Sequence, residues 1–178
     1  MPTNPMTKWM PLAVLACALL GDPVLAQTPP MAWAAGYSTY QLRPASGTDQ
    51  RMNGFGLAGQ YNLDSAWSGE LAFTHQTGTE DQSISLRQVG IMAGPRYTRA
   101  LGGRWQGSAH FLIGREQLQA SSGPASAQST SFAFEPGLGL EFAVNRHLAL
   151  RGQEDLVFTH YAGVDQRSPC LFLGLVFR

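Results

Sequence analysis

The residues with the widest chemical reach are five carboxylates, Glu70, Glu116, Glu135, Glu141 and Asp155, two guanidinium groups, Arg96 and Arg151, and the imidazole of His110. Carboxylates facing one another can divide general acid and base work. Set against arginines, the same carboxylates neutralise charge and form a structural plug or a charged gate. His75 and His160 could act as a base for a serine nucleophile, yet neither has a serine within two residues. The chain contains no CxxC, no HExxH and no cluster at zinc-ligand spacing, so neither a metal site nor a cofactor is expected. What these groups do depends on the elements that hold them.

Composition restricts those elements. Lysine plus arginine and aspartate plus glutamate number 12 each, which removes the electrostatic basis for a nucleic-acid partner. Charged residues are 13% of the 178, about half of the ~25% usual in a soluble domain. Glycine is abundant, at 20 residues, and apolar residues make up an ordinary 44%. This balance excludes a disordered chain or a coiled coil and leaves a soluble β protein or a membrane barrel.

Residues 1–26 read as a secretory signal. Lys8 precedes the apolar stretch Trp9–Leu20, and Val24-Leu25-Ala26 fits a cleavage site after the breaker Gly21-Asp22-Pro23. The apolar core is too short to span a bilayer. Cleavage would leave Cys170 as a single cysteine, without a partner for an internal disulfide. A short segment, 27–32, would then precede a single domain, 33–178.

That domain contains no extended helical periodicity. It reads as runs of alternating residues at 33–43, 53–62, 67–77, 84–98, 105–118, 131–143, 148–160 and 169–178. Polar stretches at 44–52, 78–83, 119–130 and 161–168 alternate with short turns around Asp64-Ser65, Gly102-Gly103 and Asn145-Arg146. Antiparallel neighbours with long loops at one end and short turns at the other describe an all-β, eight-stranded up-and-down transmembrane barrel. The segment 119–130 is small and polar, and is expected as a loop.

The two faces of the runs separate a membrane barrel from a soluble one. In 131–143, Phe132, Phe134, Pro136, Leu138, Leu140 and Phe142 oppose Ala133, Glu135, Gly137, Gly139 and Glu141. In 84–98, Val89, Ile91, Ala93, Pro95 and Tyr97 oppose Gln88, Gly90, Met92, Gly94 and Arg96. A lipocalin-like pocket would need an apolar interior, and a soluble exterior would carry lysines that 27–178 lacks. An apolar face toward lipid around a polar, mutually paired interior fits instead. Glu70, Arg96, His110, Glu116, Glu135, Glu141, Arg151 and Asp155 then belong to the lumen, as a plug in preference to a gate. Trp33, Trp67 and Trp105 begin runs, and Tyr61, Tyr97, Phe142 and Phe177 end runs, all at the short-turn side. They predict an interfacial aromatic girdle there.

The last run, Phe172-Leu173-Gly174-Leu175-Val176-Phe177-Arg178, resembles the C-terminal insertion signal of bacterial outer-membrane barrels, carried by Gly174, Leu175 and Phe177. The aromatic here is penultimate. With Gly94-Pro95-Arg96-Tyr97 and Asn145-Arg146-His147-Leu148-Ala149-Leu150-Arg151, the chain resembles the small eight-stranded barrels of the OmpA, OmpX and opacity-protein type. The resemblance implies outer-membrane localisation in a Gram-negative-type bacterium, lipid and lipopolysaccharide surroundings, and insertion by the barrel assembly machinery. It implies a non-enzymatic role in envelope integrity or in surface adhesion to a ligand through the loops. A narrow channel for small or apolar solutes is one alternative. A lipid A-modifying enzyme is another, although the His-x-Ser motif of the deacylases is absent.

Overall fold

The computed structural model describes residues 30–42, 50–80, 84–161 and 163–178. The segment expected as a secretory signal, 1–26, lies outside them. Eight antiparallel strands follow in chain order: β1 (Met31–Leu42), β2 (Gln50–Asn62), β3 (Trp67–Glu80), β4 (Ile84–Gly102), β5 (Trp105–Ser122), β6 (Ala125–Ala143), β7 (Leu148–Tyr161) and β8 (Val164–Phe177). Each pairs with its sequence neighbour, and β1 pairs with β8, so the sheet closes into a barrel. Closure leaves no unpaired strand edge, the condition for β structure in hydrocarbon. At the seam Gly36 stands opposite Gly174. A Cβ on Gly36 would lie 2.3 Å from the Leu173 carbonyl oxygen, so the close approach requires glycine.

Alternation sets the faces. Trp33, Leu57, Leu71, Ile91, Phe111, Ile113, Phe132 and Leu173 are exposed on the outside, whereas their neighbours along each strand turn inward and are buried. Tyr37 and Tyr40 of β1 fall on opposite faces, Tyr37 outward and Tyr40 1% exposed inside.

The strands run further than the sequence pattern indicates. β1 begins at Met31, within the 27–32 segment expected to precede the barrel, and β4 continues to Gly102. The largest correction concerns 119–130. It is not a loop, because β5 and β6 pair through it as far as Ser122 opposite Ala125, turning at Gly123-Pro124. Most of 161–168 is likewise the start of β8, and 50–52 and 78–80 extend β2 and β3. Nearly all side chains from Ser122 to Thr130 are exposed on both faces. Nothing there selects apolar over polar at alternate positions, so a strand leaves no period-two signal.

At the opposite end, two turns share one construction. The Asp64 carboxylate accepts the N–H groups of Ala66 and Trp67, each at 2.7 Å. The Asn145 amide oxygen accepts those of His147 and Leu148 at 2.8 and 2.9 Å. The two donors hold the Asp64 carboxyl below the usual aspartate range. The third turn passes through Gly102 and Gly103, both at positive φ.

Candidate functional site

The inward side chains are layered along the barrel. Nearest the turn end is an arginine-centred network. β4 places Arg96, 1% exposed, across the lumen from four other strands. Its Nη1 donates to Glu70 Oε2 at 2.9 Å and Gln153 Oε1 at 3.0 Å. Its Nη2 donates to Ser108 Oγ at 2.6 Å and Glu141 Oε1 at 3.5 Å. Arg151 stands opposite Glu141 in the β6–β7 register and donates through Nε at 2.9 Å. Its Nη2 donates to Gln60 Oε1 at 3.2 Å, and Gln60 donates onward to Glu70 at 3.1 Å. Arg178 closes the layer from the chain terminus by bonding Gln106 and Glu141. Two carboxylates thus receive three guanidinium groups, so each buried charge has a partner in the low-dielectric interior.

The middle layer has a different composition. His110, Glu135 and Asp155 converge with Nε2 of His110 3.1 Å from Asp155 Oδ1 and 3.8 Å from Glu135 Oε1. Gln153 Nε2 donates to the other Asp155 oxygen at 2.9 Å. The interior ion pairs of Arg96, Arg151 and Arg178 fall on Glu70 and Glu141, and none on Glu135 or Asp155.

Toward the loop end apolar side chains gather among buried polar ones such as Gln76, Gln88, Thr159 and Ser168. Tyr40, Leu42, Met52, Leu86, Met92, Leu112, Ala133, Val157 and Cys170 form one buried cluster. Glu116 is set at its margin, where its Oε2 accepts the hydroxyls of Tyr40 at 3.3 Å and Tyr161 at 3.4 Å. Sequence reasoning assigned Met92 to a polar face and left Leu112 unassigned. Both strands read apolar on both faces there, as Ile91-Met92-Ala93 and Phe111-Leu112-Ile113, which erases the alternation that identifies an inward residue. A small cavity of 40 Å³ beside Glu70, Glu135, Arg151 and Asp155 has room for about one water.

The seven girdle aromatics lie on the outer face beside the short turns. Trp33 pairs in register with Phe177, Trp67 with Tyr97 and Trp105 with Phe142. The rings of the last two pairs are 5.2 and 5.0 Å apart. Gly174, Leu175 and Phe177 lie in β8, with Gly174 at the closing seam. His75 and His160 both face outward near the loop end. His75 accepts from Arg87 at 3.1 Å. The His160 ring sits 2.6 Å from Asp165, and Ser131 meets only its backbone N–H. The polar partners of the two rings found among the described residues are therefore Arg87 and Asp165, not a serine.

A closed eight-stranded barrel, apolar outside and filled inside, agrees with the family model for the outer membrane protein beta-barrel domain, which matches residues 12–166. The chain belongs to that family. The barrel therefore lies in the outer membrane of a Gram-negative-type bacterium, with its apolar face against lipid. Among solved structures it is similar to Neisserial surface protein A at a TM-score of 0.74 and 14% identity, over 84% of this chain and 97% of that one. It is similar to the attachment invasion locus protein Ail of Yersinia pestis at a TM-score of 0.60 and 16% identity, over 83% and 97%. It is also similar to OprG of Pseudomonas aeruginosa at 0.52 and 11%, over 83% and 94%. No curated protein matches the sequence.

Proposed function

We propose that the barrel is a non-enzymatic, plugged protein that serves envelope integrity or surface attachment from its loop end, by holding anionic groups. The observation that carries this reading is the placement of Arg51, Arg87, Arg115 and Arg167. All four are exposed on the outward face, toward the loop end of β2, β4, β5 and β8. Arginine there, above the apolar belt, suits bidentate contact with phosphate or sulfate. Arg167 already packs its guanidinium 5.7 Å from the centre of the Phe158 ring, an anchored geometry for such a contact. One related solved structure is Ail in complex with the heparin analogue sucrose octasulfate, at 16% identity. That complex supports a sulfated or phosphorylated ligand class for this chain.

In this reading the lumenal residues Glu70, Arg96, His110, Glu116, Glu135, Glu141, Arg151 and Asp155 fill the barrel. The seven aromatics mark the periplasmic membrane interface. Residues 1–26 direct export, and Gly174, Leu175 and Phe177 present the insertion signal to the assembly machinery.

The test is to fold the full chain in phospholipid vesicles with and without lipopolysaccharide, and to titrate sucrose octasulfate. Lipopolysaccharide is expected to raise thermal stability, and a variant with Arg87, Arg115 and Arg167 all changed to Gln should lose that rise. The lipopolysaccharide should be recovered chemically unchanged. Equal stability in both vesicles, or a deacylated or acylated product, would overturn the reading.

A further inference from the structure

We propose that His110, Glu135 and Asp155 form a buried site for one divalent first-row transition-metal ion inside the barrel. The site lies in the lumen and does not depend on the surface reading above. The register creates it. Arg96, His110, Gly137 and Asp155 stand opposite one another in turn across β4, β5, β6 and β7. Glu135 projects inward two residues along β6 from Gly137. Three ligand atoms, one from each residue, therefore lie within 4.8 Å of one another in buried surroundings.

Several observations point to a ligand rather than to a closed ion cluster. His110 Nε2 and Asp155 Oδ1 are fully buried atoms without a hydrogen-bond partner, although they face each other at 3.1 Å. Buried polar atoms left in this state are costly unless something occupies the space between them. Gln153 engages the other oxygen of Asp155, which leaves Oδ1 as the free donor. Gly137 keeps the approach clear. A Cβ there would lie 2.0 Å from Asp155 Oδ1 and 2.2 Å from His110 Nε2. An ion could not stand at that point, so close to the Gly137 backbone. The distances nevertheless show both donors converging over a residue with no side chain to part them.

The chemistry fits the geometry. Metal–ligand bonds of about 2.0–2.2 Å in a tetrahedron put ligand atoms about 3.3 Å apart. The 3.1 and 3.8 Å separations at His110 need only a small shift of the Glu135 carboxylate. One imidazole and two carboxylates suit zinc and its neighbours, and their two negative charges match a dication. Metal on Nε2 requires the imidazole proton on Nδ1. Glu70 Oε2 lies 3.9 Å from that nitrogen, outside hydrogen-bond range, and accepts the proton only on moving closer. Arg96 Nη1, 3.4 Å from the same nitrogen, is already held more closely by Glu70 and Gln153.

The experiment folds the full chain in phospholipid vesicles with Co2+ present and removes loose metal on a chelating resin. One Co2+ per folded barrel is expected, with the visible absorption of a four-coordinate nitrogen and oxygen site, and Zn2+ should displace it. His110→Gln and Asp155→Asn should each weaken retention at least about 10-fold, since even changes behind the ligands weaken binding by 10-fold or more. His160→Ala, which removes the exposed His160–Asp165 pair, should retain the metal. Heat-modifiable gel mobility checks that each variant folds. Independently of any variant at the site, Co2+ should broaden the imidazole resonance of His110 in labelled wild-type protein and spare His75, His147 and His160. A folded wild type that holds no Co2+, or retention by folded His110→Gln, or broadening centred on His160, would overturn the proposal. The three residues would then be a closed polar cluster without a ligand.

Discussion

The two halves of the lumen are filled by different physics. At the turn end, Arg96, Arg151 and Arg178 interlock with Glu70 and Glu141. At the loop end, Met52, Leu86, Met92, Leu112 and Val157 pack as an apolar core that Glu116 borders through two tyrosine hydroxyls. Buried charges are tolerable only in company, so one missing partner strands the others. Apolar filling fails more locally, through a cavity. The same closed sheet accommodates both, because each inward position is set by strand parity and not by the chemistry of its neighbours.

The largest expected effect comes from breaking the charged half. Arg96→Ala strands Glu70 and is expected to cost about 3–5 kcal/mol in reversible folding in vesicles. Leu112→Ala, in the apolar half and fully buried, should cost about 3 kcal/mol. Coupling sharpens the contrast. A double-mutant cycle of Arg96→Ala with Glu70→Gln should be non-additive by about 1 kcal/mol or more, whereas Arg96→Ala with Leu112→Ala should add within about 0.5 kcal/mol. Equal coupling in both cycles would merge the two halves into one network.

A smaller effect is expected in the layer between them. Glu135 pairs with none of these arginines, so Glu135→Gln leaves no guanidinium stranded and keeps a polar group of the same shape. With chelator present, its stability should stay within about 1 kcal/mol of wild type or rise. A loss as large as that of Arg96→Ala would show that the charged network extends through the middle of the barrel.

The smallest effect lies outside the lumen, in the paired turns. The Asp64 carboxyl is held below the usual aspartate range by two backbone N–H donors. Its stabilisation is therefore fully present above the ordinary aspartate value and is lost as pH falls through its lowered folded value. Asp64→Asn, which copies the neutral Asn145 turn, should flatten that acid dependence and keep the turn. An unchanged acid limb in denaturation curves would remove Asp64 from its cause.

The same contrast explains what was legible in the sequence. Glu70, Arg96, Glu141 and Arg151 stand out because each interrupts an apolar alternation with a charge, so parity assigns them inward. Met92 falls on the inward face by parity with Gln88 and Arg96, but Leu112 is not assigned, since lipid outside and core inside select the same residue types there. The 119–130 hairpin was hidden for the opposite reason, because water on both faces selects neither. The convergence of His110, Glu135 and Asp155 has no local signature. It arises from register across β5, β6 and β7, and the residues are 25 and 20 apart in the chain.

If both halves are filled, the barrel has no continuous water path. Planar-bilayer recording of the folded full chain measures this directly. Wild-type protein is expected to give no steady conductance steps, and folded Arg96→Ala should open at most brief, small ones. Steady, large steps from the wild type would contradict the filled lumen and make the barrel a pore.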